Sequence, residues 1–557
     1  MDQQRPFLYL TLFFLGFLIW STWQQEHAPK TVQNKSVSTE QTKSGETTSQ
    51  QPNIPADTNF TVNSKTSTPT ISGKTIHVKT DVLDVNINLQ GGTITQVDLP
   101  TYPVSLEEKD KPVRILSKDK AYFAQSGFRH QDDASGAYRA DLAPSHYSNY
   151  NAEKDEYILA EGENKLIVPI VWDNGKGIKV TRNYLFERGN FLVKLENVVE
   201  NKSANPWVGT YYMQLTHGKD TKKQSIFGGG AITYTGPAYY NDKYIKVKFG
   251  EIEDEDLKDT VKGGWVAMLQ HYFVSAWIPP EDTENTVYTR HKKDSSNYII
   301  GARTPYMQVN SGASNTFSSK FYVGPTDQDK LSVISKGLDL TVDYGIFAFV
   351  SKPIFSAMKF IHRYVGNWGW TIILLTLLIK LIFFYPSAIS YRSMAKMKKL
   401  GPKIKEISEK YKNDPQGKQK ATMAFYKKEK INPLGGCLPM LIQMPVFMGL
   451  YWVLQESVEL RQAPWILWYQ DLSLRDPIFV LPLLYGASMW LTQKLNPPMS
   501  QDPMQQKIFM YLPLLFTFMF LWFPAGLVLY WVVNNLLTIA QQWFINKKIL
   551  GDDALKH

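Results

Sequence analysis

The sequence predicts an α-helical polytopic membrane core of six transmembrane helices (a five-helix bundle plus an N-terminal signal anchor), joined to a large all-β sandwich domain and a helical hairpin. Three observations support this fold class: six apolar segments, a long region of short β-branched and aromatic runs, and a basic loop at 392–433. That loop carries 13 Lys/Arg and 4 Asp/Glu, whereas the whole chain of 557 residues has a net charge of +10. The mean hydropathy of −0.26 is an average over the whole chain, in which a large polar exterior outweighs the apolar segments.

Composition excludes several kinds of site. The single cysteine, Cys437, excludes an intrachain disulfide framework and a cysteine-based zinc cluster. The nine histidines form no HExxH pair, and the sequence contains neither a Walker loop nor a GxGxxG nucleotide loop. We therefore expect neither a metal nor a cofactor. The excess positive charge instead indicates an acidic partner.

Residues 1–23 are predicted to form an uncleaved transmembrane signal anchor. The apolar run Pro6–Trp23 follows Arg5 and, as a helix, would be about 27 Å long, just enough to cross the hydrocarbon core. A cleaved signal peptide is the alternative, but no small-x-small cleavage motif follows Ile19.

Residues 24–73 are predicted to form a disordered linker. Of these 50 residues, 27 are Ser, Thr, Gln or Asn. Such a segment buries too little apolar surface to offset the entropy of ordering it.

Residues 74–345 are predicted to form a β-sandwich on the outer side of the membrane. The strand-like runs are separated by Gly, Asn or Asp, and one pair is joined at Gly91-Gly92. The six clearest runs are Asp81–Leu89, Thr93–Leu99, Lys165–Trp172, Ile178–Phe186, Phe191–Val199 and Trp207–Leu215. The histidines of this region lie in no recognisable motif, although a sugar-active sandwich enzyme stays open as an alternative.

Residues 346–365 are predicted to form an amphipathic helix. Apolar residues of Ile346–Tyr364 recur at helical spacing, with Lys359, His362 and Arg363 opposite them. The helix could lie on the outer membrane surface, pack against the β domain, or do both.

Five further transmembrane helices are predicted after this segment. Their bounds are 366–391, 434–454, 477–492, 508–523 and 525–545. The fourth and fifth of the six apolar segments are short, and their place in a series favours spanning over burial in a soluble core. Pro524 and Gly526 separate the last two helices.

Positive charge in short loops predicts the orientation. Arg5, the 392–433 loop, the 493–507 loop and the tail at 546–557 are basic and are therefore placed in the cytoplasm. Both termini are then cytoplasmic, and the region 24–369 is external.

The basic loop is predicted to form a helical hairpin. Ser393–Tyr411 and Lys418–Lys430 form two helices around a turn near Pro415, with the first helix carrying an apolar seam at spacings of three and four. Lysines cover the other faces and are candidates for docking to ribosomal RNA, anionic lipid or an acidic protein; a merely solvated surface is the alternative. The lysines chosen as docking residues are Lys396, Lys398, Lys399, Lys403, Lys405, Lys427 and Lys428.

Polar residues within the predicted spans indicate a functional site. Lys380 is placed about 15 Å deep, where a lysine costs roughly 2.5–3.5 kcal/mol and should face a hydrated cavity. Thr376 lies on the same helix face, and Gln443, Asn534 and Asn535 lie at a similar depth on two other helices. Interhelical hydrogen bonds would account for the amides, but no carboxylate within the spans accounts for the lysine.

Five sequence strings together resemble the YidC/Oxa/Alb family of membrane-protein insertases. They are SMAKM at Ser393–Met397, INPLGGCLPMLIQMPVF at Ile431–Phe447, ELRQAP at Glu459–Pro464, DPMQQK at Asp502–Lys507 and LWFPAGLVLY at Leu521–Tyr530. The resemblance is strong over 366–545, and the anchor, linker and β domain resemble the long Gram-negative form of the family.

The resemblance implies a non-enzymatic insertase and chaperone of the bacterial inner membrane, with the β domain in the periplasm. Its implied partners are nascent inner-membrane proteins, the Sec translocon with its accessory subunits, the ribosome, the signal-recognition receptor and anionic lipids, but not DNA. It implies a hydrophilic groove with one positive charge, at which Lys380 stands where the family usually has arginine. Thr376 and Trp531 match groove positions, whereas Met444, Phe447 and Met448 match part of the surface along which substrates slide.

Two other function classes fit less well. A transporter or channel would need an acidic residue within the membrane or an inverted repeat, and neither is visible in the predicted spans. A membrane-anchored periplasmic carbohydrate enzyme would leave the five later helices unexplained.

Overall fold

The computed structural model describes residues 73–132, 139, 141–218, 234–291, 297–411, 414–429, 438–495 and 503–550. The predicted anchor at 1–23, almost all of the predicted linker and the end of the predicted tail lie outside these ranges. Everything described belongs to one compact unit, Asp57–His557.

Nineteen strands in the described residues build two sheets, so the predicted β-sandwich is confirmed. The strands are β1 Thr75–Lys79, β2 Asp84–Asn88, β3 Thr93–Pro103, β4 Pro112–Leu116, β5 Phe123–His130, β6 Glu156–Ile158, β7 Lys165–Asp173, β8 Ile178–Glu187, β9 Leu192–Asn201, β10 Trp207–Gly218, β11 Gly236–Tyr240, β12 Tyr244–Lys246, β13 Lys258–Lys262, β14 Trp265–Gln270, β15 Phe273–Ile278, β16 Glu284–His291, β17 Asn297–Arg303, β18 Met307–Val309 and β19 Ser314–Pro325. The 11-stranded sheet has the order β13-β16-β17-β10-β5-β3-β2-β1-β6, with β18 beside β10 and β4 beside β3. The 8-stranded sheet has the order β12-β11-β14-β15-β19-β9-β8-β7.

The two sheets share one apolar core, which follows from alternation along the strands. β8 is typical: every second residue, from Ile178 to Phe186, is buried, and the residues between them are part-exposed. Polar contacts also cross the core, for example the hydrogen bond of 2.8 Å from the Tyr122 hydroxyl to Ser275 Oγ. The predicted strand at Asp81–Leu89 begins only at Asp84, and the separate strand β1 precedes it.

Eleven α-helices lie in the described residues, and those from residue 348 onward form the predicted helical C-terminal region. They are α1 Phe249–Asp254, α2 Gln328–Ile334, α3 Ala348–Val365, α4 Trp368–Ile382, α5 Phe384–Lys399, α6 Gly401–Lys410, α7 Pro415–Lys428, α8 Leu438–Glu456, α9 Val480–Leu495, α10 Pro503–Phe520 and α11 Ala525–Leu550. A second apolar core holds the region together and takes side chains from α3, α4, α8, α9, α10 and α11.

The segment predicted as one span at 366–391 is bent instead. It consists of α4 and the first part of α5, which meet at Phe383 at an angle of 68°. This bent pair has the length and apolarity of a membrane span when its halves are taken together, whereas within the described residues no individual helix has both. The number of spans therefore stays a prediction.

The predicted amphipathic helix corresponds to α3, and its buried face packs on α8. The Ser351 hydroxyl donates to the Gly449 carbonyl at 3.0 Å, and a Cβ at position 449 would lie 2.9 Å from Val350, so glycine permits this close approach. The helix also contacts the β domain through the Lys359–Asp329 ion pair at 2.7 Å. Phe349 lies on its exposed face, as expected for a helix at a membrane surface, which stays a prediction.

The basic region departs from the prediction in two respects. The single helix expected at Ser393–Tyr411 is interrupted at Leu400, because the following Gly-Pro pair begins a new helix, α6. Met394 packs with Tyr391 and with Ile545 of α11 rather than inside the hairpin. The hairpin itself consists of α6 and α7, which pack on each other.

Candidate functional site

Lys380 lies in the last turn of α4 and is only 7% exposed. Its ammonium nitrogen donates to the Thr538 hydroxyl of α11 at 2.8 Å. Among the described residues no carboxylate forms an ion pair with it. The structure therefore places a buried cation against a neutral hydrogen-bond partner.

The polar side chains of α11 extend this contact along one helix face. The Thr538 hydroxyl donates to the Asn534 carbonyl at 2.7 Å, so its lone pairs are free to accept from Lys380. One turn further on, Gln541 donates to the Phe384 carbonyl at 3.2 Å and thereby ties α11 to the start of α5. On the neighbouring face, Asn535 donates to Ser488 Oγ of α9 at 3.1 Å.

Thr376 lies one turn before Lys380 and is 1% exposed. Its hydroxyl donates to the Ile372 carbonyl at 2.6 Å, within α4. Contact between Thr376 and a substrate would therefore require α4 to move away from its neighbours. Ser387 and Ser390 of α5 are buried as well, so four helices, α4, α5, α9 and α11, contribute polar groups to this region.

The predicted substrate-contact residues on α8 and α11 meet in an aromatic cluster. The rings of Phe447 and Trp531 lie 4.9 Å apart, and Tyr485 of α9 packs at 6.1 Å from Trp531. The Trp531 indole N–H is buried, and no acceptor for it exists among the described residues. Met444 is 49% exposed on the outer surface of α8. Gln443 and Met448 are half-buried on the same helix.

The predicted docking lysines lie on exposed surfaces of the three basic helices. The six whose side chains are described are Lys396 and Lys399 on α5, Lys403 and Lys405 on α6, and Lys427 and Lys428 on α7. In the described part of the chain none of the six forms an ion pair. The side chain of Lys398 lies outside the described residues.

The structure adds residues to the site that the sequence analysis missed. Thr538, Gln541 and Ser488 bond directly to the predicted site residues or to their helices. The missed signal was helical spacing, because Thr538 follows Asn534 by four residues and therefore lies on the same face. The site residues form two groups, and α11 connects them. We call Lys380, Thr376, Asn534 and Asn535, with Thr538 and Gln541, the Lys380 cluster. We call Phe447 and Trp531, with Tyr485, the Trp531 cluster.

Comparison with known proteins gives matches along the whole chain. The protein-family model described as "YidC periplasmic domain" matches residues 75–357. A second family model, described as "60Kd inner membrane protein", matches residues 360–552. A relative from Thioalkalivibrio sulfidiphilus named "Membrane protein insertase YidC" is 46% identical, over 99% of this chain and 99% of its own length. A relative of the same name from Methylococcus capsulatus is 44% identical over 100% of both chains.

Among solved structures, one titled as an active YidC insertase with the first transmembrane domain resolved is similar to this chain. It has 17% sequence identity and a TM-score of 0.36, covering 84% of this chain and 92% of its own.

We predict that Thr538→Val destabilises the folded chain, because it leaves the Lys380 ammonium without its hydroxyl acceptor. The expected loss in the free energy of unfolding is about 1.5–3 kcal/mol. Thr538→Ser keeps the hydroxyl and should lose less than about 1 kcal/mol for the missing methyl group. Equilibrium unfolding of the full chain in micelles of increasing SDS fraction measures both, and equal losses would contradict the assigned role of the hydroxyl.

Proposed function

Because this chain belongs to the YidC family of membrane protein insertases, we propose that the Lys380 region is the site at which it inserts and folds inner-membrane proteins. The chain is thus an insertase rather than an enzyme, and the proposal concerns how it works. In the proposed mechanism, α4, α5, α9 and α11 form a hydrophilic groove open to the inner leaflet, with Lys380 as its one positive charge. The groove acts alone or beside the Sec translocon.

The observation that carries this proposal is the buried ammonium group of Lys380 with a hydroxyl as its partner. Desolvating a cation is costly, and an ion pair or a strong charged acceptor usually offsets that cost. A neutral hydroxyl offsets only part of it, so the ammonium group retains a strong preference for an anionic or strongly polar group. The acidic and polar portions of a nascent chain are such groups, and the groove would lower the cost of bringing them partway into the bilayer.

The Trp531 cluster supplies the apolar side of the proposed path. Phe447, Trp531 and the exposed Met444 offer aromatic rings and a flexible thioether, which adapt to many apolar sequences. A substrate helix could therefore lie along α8 with its apolar face toward lipid while its polar end reaches the groove.

Release of the substrate needs no nucleotide in this mechanism. Once the polar end has crossed, the apolar segment partitions into lipid, and each Å² of apolar surface removed from water stabilises it by about 25 cal/mol. The proposal thus assigns the driving force to the substrate and the lowering of the barrier to the groove. This division agrees with a sequence that lacks a Walker loop.

The same proposal fixes the location of each part. The β domain is periplasmic, as the matching family description states, and the chain lies in the inner membrane. We place both termini and the α6–α7 hairpin in the cytoplasm, where the exposed lysines would bind the ribosome, the signal-recognition receptor or anionic lipid. Contact with the Sec translocon is a further part of the proposal.

Site-specific crosslinking to a stalled nascent membrane protein tests the proposed path. Photocrosslinkers at Met444 and Trp531 should react with the substrate, whereas one at Thr376 should react only if α4 separates from its neighbours during insertion. A probe at Phe349, on the exposed face of α3, serves as the matched control because that helix is outside the path. Equal yields from Met444 and Phe349 would contradict the assigned path.

Charge at position 380 is predicted to govern insertion of substrates with acidic translocated tails. Lys380→Arg should retain insertion because it keeps the positive charge, whereas Lys380→Glu should impair it through repulsion of the tail. Complementation and insertion assays in a strain depleted of its own insertase measure the effect, with variants matched for membrane abundance. If both variants insert such substrates equally well, electrostatic attraction in the groove is excluded.

Charge on the basic helices is predicted to control docking at the cytoplasmic side. Reversing Lys403, Lys405, Lys427 and Lys428 to Glu should weaken binding to ribosomes or to the targeting receptor, with the largest difference at low salt. Co-sedimentation across a salt series measures this. Reversal of four lysines of the β domain provides the control, and unchanged binding after reversal in the hairpin would refute the docking role.

A further inference from the structure

The segment between α8 and α9, residues 457–479, contacts the first turns of α4, α9 and α11 and the end of β3. It is bonded within itself, for example by the Leu472 amide to the Ala463 carbonyl at 3.1 Å. Three of the five non-glycine residues with positive φ in the described chain lie in it, namely Gln462, Leu467 and Phe479. Such conformations are strained and persist only where the surroundings fix them. We call residues 457–479 the clamp.

The clamp holds the first turn of α4. Asn367 donates through Nδ2 to the carbonyls of Pro464 and Trp465 at 3.1 and 3.2 Å, while its Oδ1 accepts from the Trp370 amide and caps the helix. The Trp465 ring lies directly on Gly369, where a Cβ would come within 2.1 Å of it. The start of α4 therefore has both a polar and a steric tie to the clamp.

The clamp also holds the first turn of α11. The amides of Ala525 and Gly526 donate to the carbonyls of Leu474 and Leu472 at 2.7 and 3.0 Å. These amides are among the helix N-terminal donors that have no acceptor within the helix, so the clamp supplies what α11 itself lacks. A third helix, α9, begins directly after the clamp, and the carboxylate of the clamp residue Asp476 accepts from the Leu481 amide in its first turn at 2.7 Å.

The bonds at the helix starts also set the positions of Lys380 and Thr538, because an α-helix has a fixed rise per residue. Lys380 follows the start of α4 by twelve residues and Thr538 follows the start of α11 by thirteen, which places them about 18 and 20 Å along their helices. Two helices held together at their first turns thus bring Lys380 and Thr538 to the same level. A shift at the clamp would separate the ammonium nitrogen from the hydroxyl oxygen, because helices move as nearly rigid rods.

The clamp also joins the groove to the β domain. Arg461 donates through Nη2 to the carbonyls of Pro103 and Val104 at 2.6 and 3.0 Å, at the end of β3. Gln462, one of the strained residues, donates to the same Pro103 carbonyl at 3.1 Å. The β domain is therefore bonded to the element that holds α4 and α11.

We propose that the clamp is a positioning element for insertion, in which Asn367 fixes the level of Lys380 relative to Thr538 and Arg461 links that geometry to the β domain. This inference rests on the groove mechanism proposed above. Neither residue contacts the Lys380 cluster in the described structure, so both would act through helix placement and not through contact with the substrate.

Asn367→Asp tests the tie to α4. It keeps a side-chain acceptor for the Trp370 amide but loses both donors to the clamp and places a negative charge against two carbonyls. Thr371→Val is the matched control, because it removes the hydrogen bond from Thr371 to the Asn367 carbonyl without touching the clamp. Arg461→Met and Arg461→Lys test the second tie, since lysine keeps a donor and methionine does not.

The spacing of α4 and α11 is measured as the distance between two spin labels in nanodiscs. The labels are attached at Leu381→Cys and Leu536→Cys in the full-length chain, in which Cys437→Ser removes the native thiol. We expect Asn367→Asp and Arg461→Met to broaden the distance distribution and to slow insertion about fivefold. Thr371→Val should change neither readout, and Arg461→Lys should restore both.

Three outcomes overturn the proposal. The first two are that Asn367→Asp gives the same distance distribution and insertion rate as Thr371→Val, or that Arg461→Met gives the same values as Arg461→Lys. The third is that Asn367→Asp or Arg461→Met slows insertion while the distance between α4 and α11 stays unchanged. Lys380→Glu in the same assay separates this failure from failure of the groove. If Lys380→Glu impairs insertion while the clamp variants do not, only the clamp is wrong; if Lys380→Glu is also harmless, the groove mechanism is wrong as well.

Discussion

The hydrogen bond from the Lys380 ammonium group to the Thr538 hydroxyl is the contact on which the helical region depends. A buried cation usually has a carboxylate partner, and a hydroxyl replaces only a small part of the hydration that is lost. Thr538 is oriented for this contact, because its hydroxyl donates to the Asn534 carbonyl and its lone pairs are left to accept from Lys380.

The end of α4 has its own cause in the sequence. A straight helix through residue 391 is disfavoured because Pro386, the third residue of α5, has no N–H for the Ile382 carbonyl and its ring crowds that carbonyl. The bend at Phe383 instead ends α4 two residues after Lys380 and directs α5 toward α11. Gln541 then bonds the Phe384 carbonyl at the first residue of α5, so the bend is secured by the same helix that carries Thr538.

The features of the fold and of the candidate site that a single residue or a short periodic pattern encodes could be predicted from the sequence. The β-sandwich follows from alternation along strands, and Lys380 was recognisable because a lysine among leucines and isoleucines is costly in any apolar surrounding. The bend at Phe383 had a signal in Pro386, which has no N–H to donate to the Ile382 carbonyl and crowds that carbonyl with its ring, but the continuous apolar run indicated one straight helix. The break at Leu400 had a signal in Gly401-Pro402, but the regular apolar spacing indicated a continuous helix. The clamp had no periodic signal at all, because its bonds run mostly between backbone carbonyls and residues distant in sequence.

Lysine at position 380 fits a site in which its hydrogen-bond acceptor among the described residues is one hydroxyl. An ammonium group is compact and can be held by one such acceptor, whereas a guanidinium presents five donors in a fixed plane and needs more acceptors to be buried. An arginine here would therefore take additional acceptors from water or from a bound chain. Lysine gives up bidentate recognition of a carboxylate and keeps a charge that acts at a distance in a medium of low dielectric constant. In the proposed mechanism, such a groove would discriminate substrates by charge and hydration more than by a defined carboxylate geometry, as suits a family of insertases.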